Sequence, residues 1–322
     1  MKQPSILLTL ALFAFGCVAL QRPDTSIGYL LVTNEGSNDL TILDMSRKKV
    51  VKTIHAGSMP GGIATTPDGR YAFVANYSGS VSKIDLISNQ IVATVESGTG
   101  PTGLVMTPDS RFVYVTNRNS RSVSVIDTAN TTITVRIPVG DGPSYIDISK
   151  DGQYVYVSNS ISNEVSVIET ASNTVIKTIP VGEMPAGIVA TPDNRYVFVA
   201  DFPKGIQVID TKSWKIIKTL AADSFPAGMT VTPDSRFVYA TNVSTDNVLV
   251  IDTTVLEVVK KIRTGKTPVQ IELSEDGQTA YVINEGSNAV SMIDLSSGRT
   301  IKTIKVGHRP SGVVFQTTST EP

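Results

Sequence analysis

Two short stretches, PSYID at 143–147 and PVQIE at 268–272, carry the side chains best suited to chemistry. In an extended chain, residues two apart point to the same side, so Tyr145 stands beside Asp147 and Gln270 beside Glu272. A carboxyl next to a hydrogen-bonding neighbour can hold a cation or a polyhydroxylated molecule. Two such carboxyls held close together can divide acid and base work between them. Five other stretches open with proline in the same way but place a glycine where Tyr145 and Gln270 stand: Gly62, Gly103, Gly187, Gly228 and Gly312. The shared departure of two stretches from five makes Tyr145, Asp147, Gln270 and Glu272 the first candidate binding residues. The neighbours His308 and Arg309 are the second. The chain has only two histidines, the other being His55. One imidazole without further donors makes a poor metal site, so no metal ligands are assigned. No CxxCH, GxSxG, HExxH or Walker sequence occurs, and the sequence assigns neither a catalytic residue nor a cofactor.

A repeat positions these residues. An asparagine ending an apolar run recurs at Asn34, Asn76, Asn117, Asn159, Asn242 and Asn284, with Asp201 filling the remaining place; the spacings are 42, 41, 42, 42, 41 and 42. A proline recurs at Pro60, Pro101, Pro143, Pro185, Pro226, Pro268 and Pro310. Each unit holds four short runs rich in Val, Ile and Tyr, bounded by Gly, Pro, Asn and Asp, which read as strands joined by tight turns. A period of this length with four strands per unit is the signature of a propeller. The expectation is therefore an all-β, seven-bladed β-propeller over 26–317, four antiparallel strands per blade, with a polar tail at 318–322. We letter the strands of each blade a to d, a following the proline and lying innermost. The first unit lacks strand a and the last residues supply one, so the N- and C-terminal strands share a blade and close the ring. In a ring of seven, Tyr145/Asp147 and Gln270/Glu272 lie three blades apart, on opposite walls of the channel, where a ligand would bridge them. Inter-blade hydrogen bonding is the other reading, because the same two units carry Gln153 and Gln278 where four others have arginine in the a–b turn.

Composition names no partner. Lys and Arg number 28 against 29 Asp and Glu, and the net charge of −1 argues against nucleic acid. Residues 1–22 differ in kind: Lys2 precedes an apolar run from Ile6 to Leu20, shorter than a membrane-spanning helix needs, and the stretch reads as an export signal. Cys17 is the single cysteine. The Gly16–Cys17 junction resembles a bacterial lipoprotein signal, which implies acylation of Cys17 and a membrane anchor; cleavage after Ala19 would instead leave a periplasmic or secreted protein.

The segments VYVTN at 113–117, VSVID at 123–127, TIPVG at 178–182 and TPDGR at 66–70 resemble the YVTN-family β-propeller repeat, over nearly all of 26–317. That family is similar to surface-layer and cell-envelope propellers and, more distantly, to the propeller domains of haem d1 nitrite reductases, amine dehydrogenases and lactonases. Its motif specifies a fold and carries no catalytic residues. The b–c loops and the GxxP loops share the variable face, where ligands of such propellers generally sit, and Met59, Tyr77, Met184, Phe202 and Phe225 could gather there as an apolar patch. The functional expectation is an exported envelope protein acting as a non-catalytic binding module for a protein or small molecule on that face. The alternative is a lactonase-like propeller hydrolase with a metal at the channel mouth. A cofactor-bearing redox protein comes last, on the scarcity of histidine.

Overall fold

The computed structural model describes residues 27–203, 205–222 and 225–318. The expected signal at 1–22 with Cys17, and the last four residues of the tail, lie outside them. The described residues form seven four-stranded antiparallel sheets arranged as seven blades. The inner strands are 1a (Pro310–Thr318), 2a (Pro60–Thr65), 3a (Pro101–Met106), 4a (Pro143–Ile148), 5a (Ile188–Ala190), 6a (Pro226–Val231) and 7a (Pro268–Leu273). The ring closes in blade 1, where Ile27–Asn34 pairs antiparallel with Pro310–Thr318 from the other end of the chain.

The repeated residues have local physical roles. The asparagine ending strand b is buried, and its amide donates to a hydroxyl on strand c: Asn76 to Ser82 Oγ at 2.8 Å, Asn117 to Ser124 Oγ at 2.9 Å, Asn159 to Ser166 Oγ at 2.8 Å and Asn284 to Ser291 Oγ at 3.0 Å. This bond pins the b–c hairpin under its loop. The same amide fills the space beside the GxxP glycine: a Cβ on Gly57 would overlap the side chain of Asn76, and Gly57 also adopts φ +121°, which side-chain-bearing residues avoid. In the a–b turns, Thr66 and its counterparts bond the aspartate two residues on, and Ser149 and Ser274 make the same bond to Asp151 (2.6 Å) and Asp276 (2.5 Å).

A single blade cannot bury both of its faces. Seven apolar clusters accordingly form, one between each pair of adjacent blades. Tyr29, Leu31 and Leu40 of blade 1, for instance, meet Ile63, Val74 and Ile84 of blade 2. Each fully buried Leu, Ile or Phe stabilises the ring by roughly 1.5–3 kcal/mol. Trp214, in the c–d turn of blade 5, packs edge-on against Tyr154 of blade 4 at 5.5 Å between ring centroids and covers the seam between the two blades.

Candidate functional site

The glycines of the inner strands have a steric cause. A Cβ on Gly62 would lie 2.7 Å from the Thr102 carbonyl oxygen of the next blade, and one on Gly228 would lie 2.6 Å from that of Val269. At both places a neighbouring backbone runs where a side chain would stand. Tyr145 and Gln270 break this rule. The Tyr145 ring packs against both apolar clusters that flank blade 5. Strand 5a follows it and has three residues, where 2a, 3a, 4a, 6a and 7a have six. The Gln270 amide lies over Gly228 of blade 6.

These two side chains divide the channel into two chambers. The upper one, about 370 Å³, lies on the variable face; its wall includes Glu35, Met59, Tyr77 and Arg118, and Tyr145 and Gln270 form its floor. The lower one, about 330 Å³, lies toward the a–b turns within the arc of blades 4 to 7; Tyr145, Asp147, Lys150, Gln270 and Glu272 contribute to its wall. All four inner-strand candidates, two from blade 4 and two from blade 7, border this one chamber.

Asp147 and Glu272 are walled in by protein and keep only a channel-facing surface. Burial raises the Asp147 carboxyl to about 6, against a backbone hydrogen bond in which Ala190 N–H donates to Asp147 Oδ2 at 2.8 Å. Burial raises Glu272 to about 7; its partial compensation is the Leu273 N–H at 3.2 Å, and the Asp147 charge pushes it further up. A charge on Asp147 disfavours ionisation of Glu272, so the pair gives up its protons in steps. Burial also raises the Tyr145 phenol, which stays a hydrogen-bond donor at neutral pH. No turn arginine is missing from this arrangement: Arg70 lies over the Tyr71 ring at 5.1 Å and reaches Asp85 at 3.5 Å, away from the inner strand. The inter-blade reading holds in part: the Ala190 N–H that donates to Asp147 belongs to blade 5, so that bond runs through backbone and not through a turn arginine.

His308 and Arg309 sit exposed on the rim, outside the residues that border either chamber. The Arg309 guanidinium bridges Glu285 of blade 7 (3.0 Å) and Glu35 of blade 1 (3.3 Å) across the closure. The apolar residues of the variable face do not form one patch: Met59 and Tyr77 border the upper chamber, while Phe202 and Phe225 pair at 5.8 Å. Sequence reasoning missed Arg118, whose only signal was its place in a b–c loop. Among the described residues no three His, Cys, Asp or Glu side chains gather as a metal site, so the metal in the hydrolase alternative finds no donor set.

Residues 184–319 match the model of the cytochrome D1 heme domain. Solved structures of similar shape include hydrazine synthase of Kuenenia stuttgartiensis (24% identity, 83% of this chain and 92% of that one, TM-score 0.77), the dihydro-heme d1 dehydrogenase NirN (22%, 89% and 74%, 0.68) and a putative 6-phosphogluconolactonase of Bacteroides fragilis (16%, 91% and 98%, 0.77). At these identities the structures speak to fold alone. No curated protein matches the chain. The haem-domain match overturns the expectation of a non-catalytic binding module. Residues 24–143 and 95–197, together more than half of the chain, match the model of the YNCE-like β-propeller, and the chain belongs to that family.

Proposed function

We propose that the protein is a propeller hydrolase of the lactone or ester type that works by general acid–base catalysis in the lower chamber. The observation that carries this reading is the meeting of Asp147 and Glu272 in one water-accessible cavity, where they titrate in sequence near neutrality. Ionised Asp147 takes a proton from a water as its oxygen adds to the substrate carbonyl. Protonated Glu272 gives its proton to the departing alkoxide as the acyl–oxygen bond breaks. The products are a carboxylic acid and an alcohol, and proton exchange with solvent resets the pair. The Tyr145 hydroxyl and the Gln270 amide, at the boundary of the chambers, are donors toward the carbonyl oxygen as charge develops on it. Such a pair typically contributes about 10²–10⁴-fold.

The haem-domain match raises a tetrapyrrole as the other class of ligand. The histidines do not fit one: His55 ends the outer strand of blade 1, and His308 lies on the rim. A panel of aryl esters and five- and six-membered lactones, assayed from pH 5 to 8, tests the proposal. The expected rate profile is a bell centred between about 6 and 7, lost in both Asp147→Asn and Glu272→Gln. Absence of turnover across the panel, or unchanged rates in both variants, would sink it. A Soret shift on adding haemin to the apoprotein would put the tetrapyrrole reading in its place.

A further inference from the structure

We infer that the upper chamber is an oxyanion subsite, in which Arg118 receives a carboxylate or phosphate carried on an apolar or aromatic body. In the proposed hydrolase this group would anchor the substrate while its ester or lactone bond reaches Asp147 and Glu272. That link rests on the proposed function; the subsite itself does not.

The argument starts from charge. Three arginines stand in the loops of the variable face. Arg121 is paired with Asp141 at 2.9 Å, and Arg309 is shared between Glu35 and Glu285. Among the described residues Arg118 has neither an ion pair nor a side-chain hydrogen bond, although it is half-buried against the chamber. A partly desolvated guanidinium without a counter-ion is costly, and its planar fork suits a carboxylate or phosphate presented edge-on. Glu35, which borders the same chamber, is held by Arg309 and does not neutralise Arg118. The rest of the wall supplies the body of a ligand. The Tyr77 hydroxyl accepts from Asn119 Nδ2 at 3.5 Å. Tyr77 Cε2 lies 3.3 Å from where a Cβ on Gly100 would be, so the ring is fixed against blade 3. Met59 stands beside it as an adaptable apolar surface. The inner-strand glycines Gly61, Gly62, Gly103 and Gly312 also border it, and the volume of about 370 Å³ suits a small ligand.

Benzoate and phenyl phosphate are the probes, titrated by calorimetry into the full-length protein, Arg118→Gln and Arg118→Lys. At least one probe is expected to bind the wild type. Arg118→Gln should weaken it about tenfold or more, with Arg118→Lys in between, because a charged hydrogen bond is lost. The probe that binds identifies the anion as carboxylate or phosphate. Failure of both probes to bind, or equal affinity in Arg118→Gln with its melting temperature unchanged, would overturn the subsite. Kinetics then separate the two proposals. For a carboxylated ester, Arg118→Gln should raise KM and leave kcat within about twofold, and a neutral ester should be unaffected. Probe binding lost in Arg118→Gln, with hydrolysis indifferent to Asp147→Asn and Glu272→Gln, would leave the subsite standing and remove the hydrolase reading.

Discussion

Strands 6a and 7a follow one another in the ring, carry the same opening proline and turn through equivalent a–b turns. Yet from one only Met229, Thr230 and Val231 border the lower chamber, and from the other Gln270 and Glu272 do. The glycine in 6a exists because the Val269 carbonyl and the Gln270 amide of the next blade lie against it. In 7a the same position carries a side chain that leaves its own blade and enters the channel. The pair 4a and 5a repeats this asymmetry, with Tyr145 filling the gap and 5a cut short. The five plain inner strands thus keep a neighbouring backbone close, and the two that carry a side chain there are the ones to which the proposed chemistry is assigned.

The largest effect is expected from breaking the plain half of that contrast. Valine at Gly187 would overlap the Ala227 carbonyl. The ring must then shift backbone rather than a flexible side chain, at a cost of more than about 3 kcal/mol, read as a collapse of the melting temperature. A Gly187→Val protein melting like wild type would mean the blades are not held by this approach. Next come Asp147→Asn and Glu272→Gln, each expected to lower hydrolytic turnover by about 10²-fold or more with no loss of stability, since each removes a charge that burial disfavours.

The third effect is on stability against pH. Both carboxyls bind protons more tightly folded (about 6 and about 7) than unfolded (3.8 and 4.5). Their contribution is fully present below the unfolded values and is lost as pH rises toward 7, by on the order of 2 kcal/mol each. Aspartates such as Asp294, held down at about 2 by Ser297 and Ser296, act oppositely and below pH 4. Chemical denaturation should show stability falling between about pH 4 and 7, with the slope flattened in Glu272→Gln; a flat wild-type profile would mean that water reaches the pair freely. Smallest is Arg309→Gln, which removes an exposed clamp across the closure and should cost no more than about 1 kcal/mol at low salt and less at high salt.

The architecture was legible because steric and hydrogen-bonding demands recur in every blade and each leaves a residue behind: an asparagine for the hairpin, a proline for the turn, a glycine for the close approach. The candidate site was legible only as an exception to those demands, and that is how Tyr145, Asp147, Gln270 and Glu272 stood out. That residues from blades 4 and 7 border one chamber was not legible, because a repeat gives the place of a blade in the ring and not the shape of the channel. Arg118 follows Asn117 as Tyr77 follows Asn76, so the repeat puts both in equivalent b–c loops; the residue type there changes from blade to blade, and which of these side chains border one chamber was hidden.

The pairing that closes blade 1 also sets an order of events. Thr33 and Ser311 meet across 278 residues of chain, whereas every other blade is woven from neighbours in sequence. During synthesis, strand b of blade 1 emerges early and waits with its inner edge open until the last strand leaves the ribosome. The final join brings together the most distant segments and carries the largest entropy of closure. Until that join is made blade 1 has three strands and an unsatisfied inner edge, so the yield of folded protein should depend on how long that edge stays open.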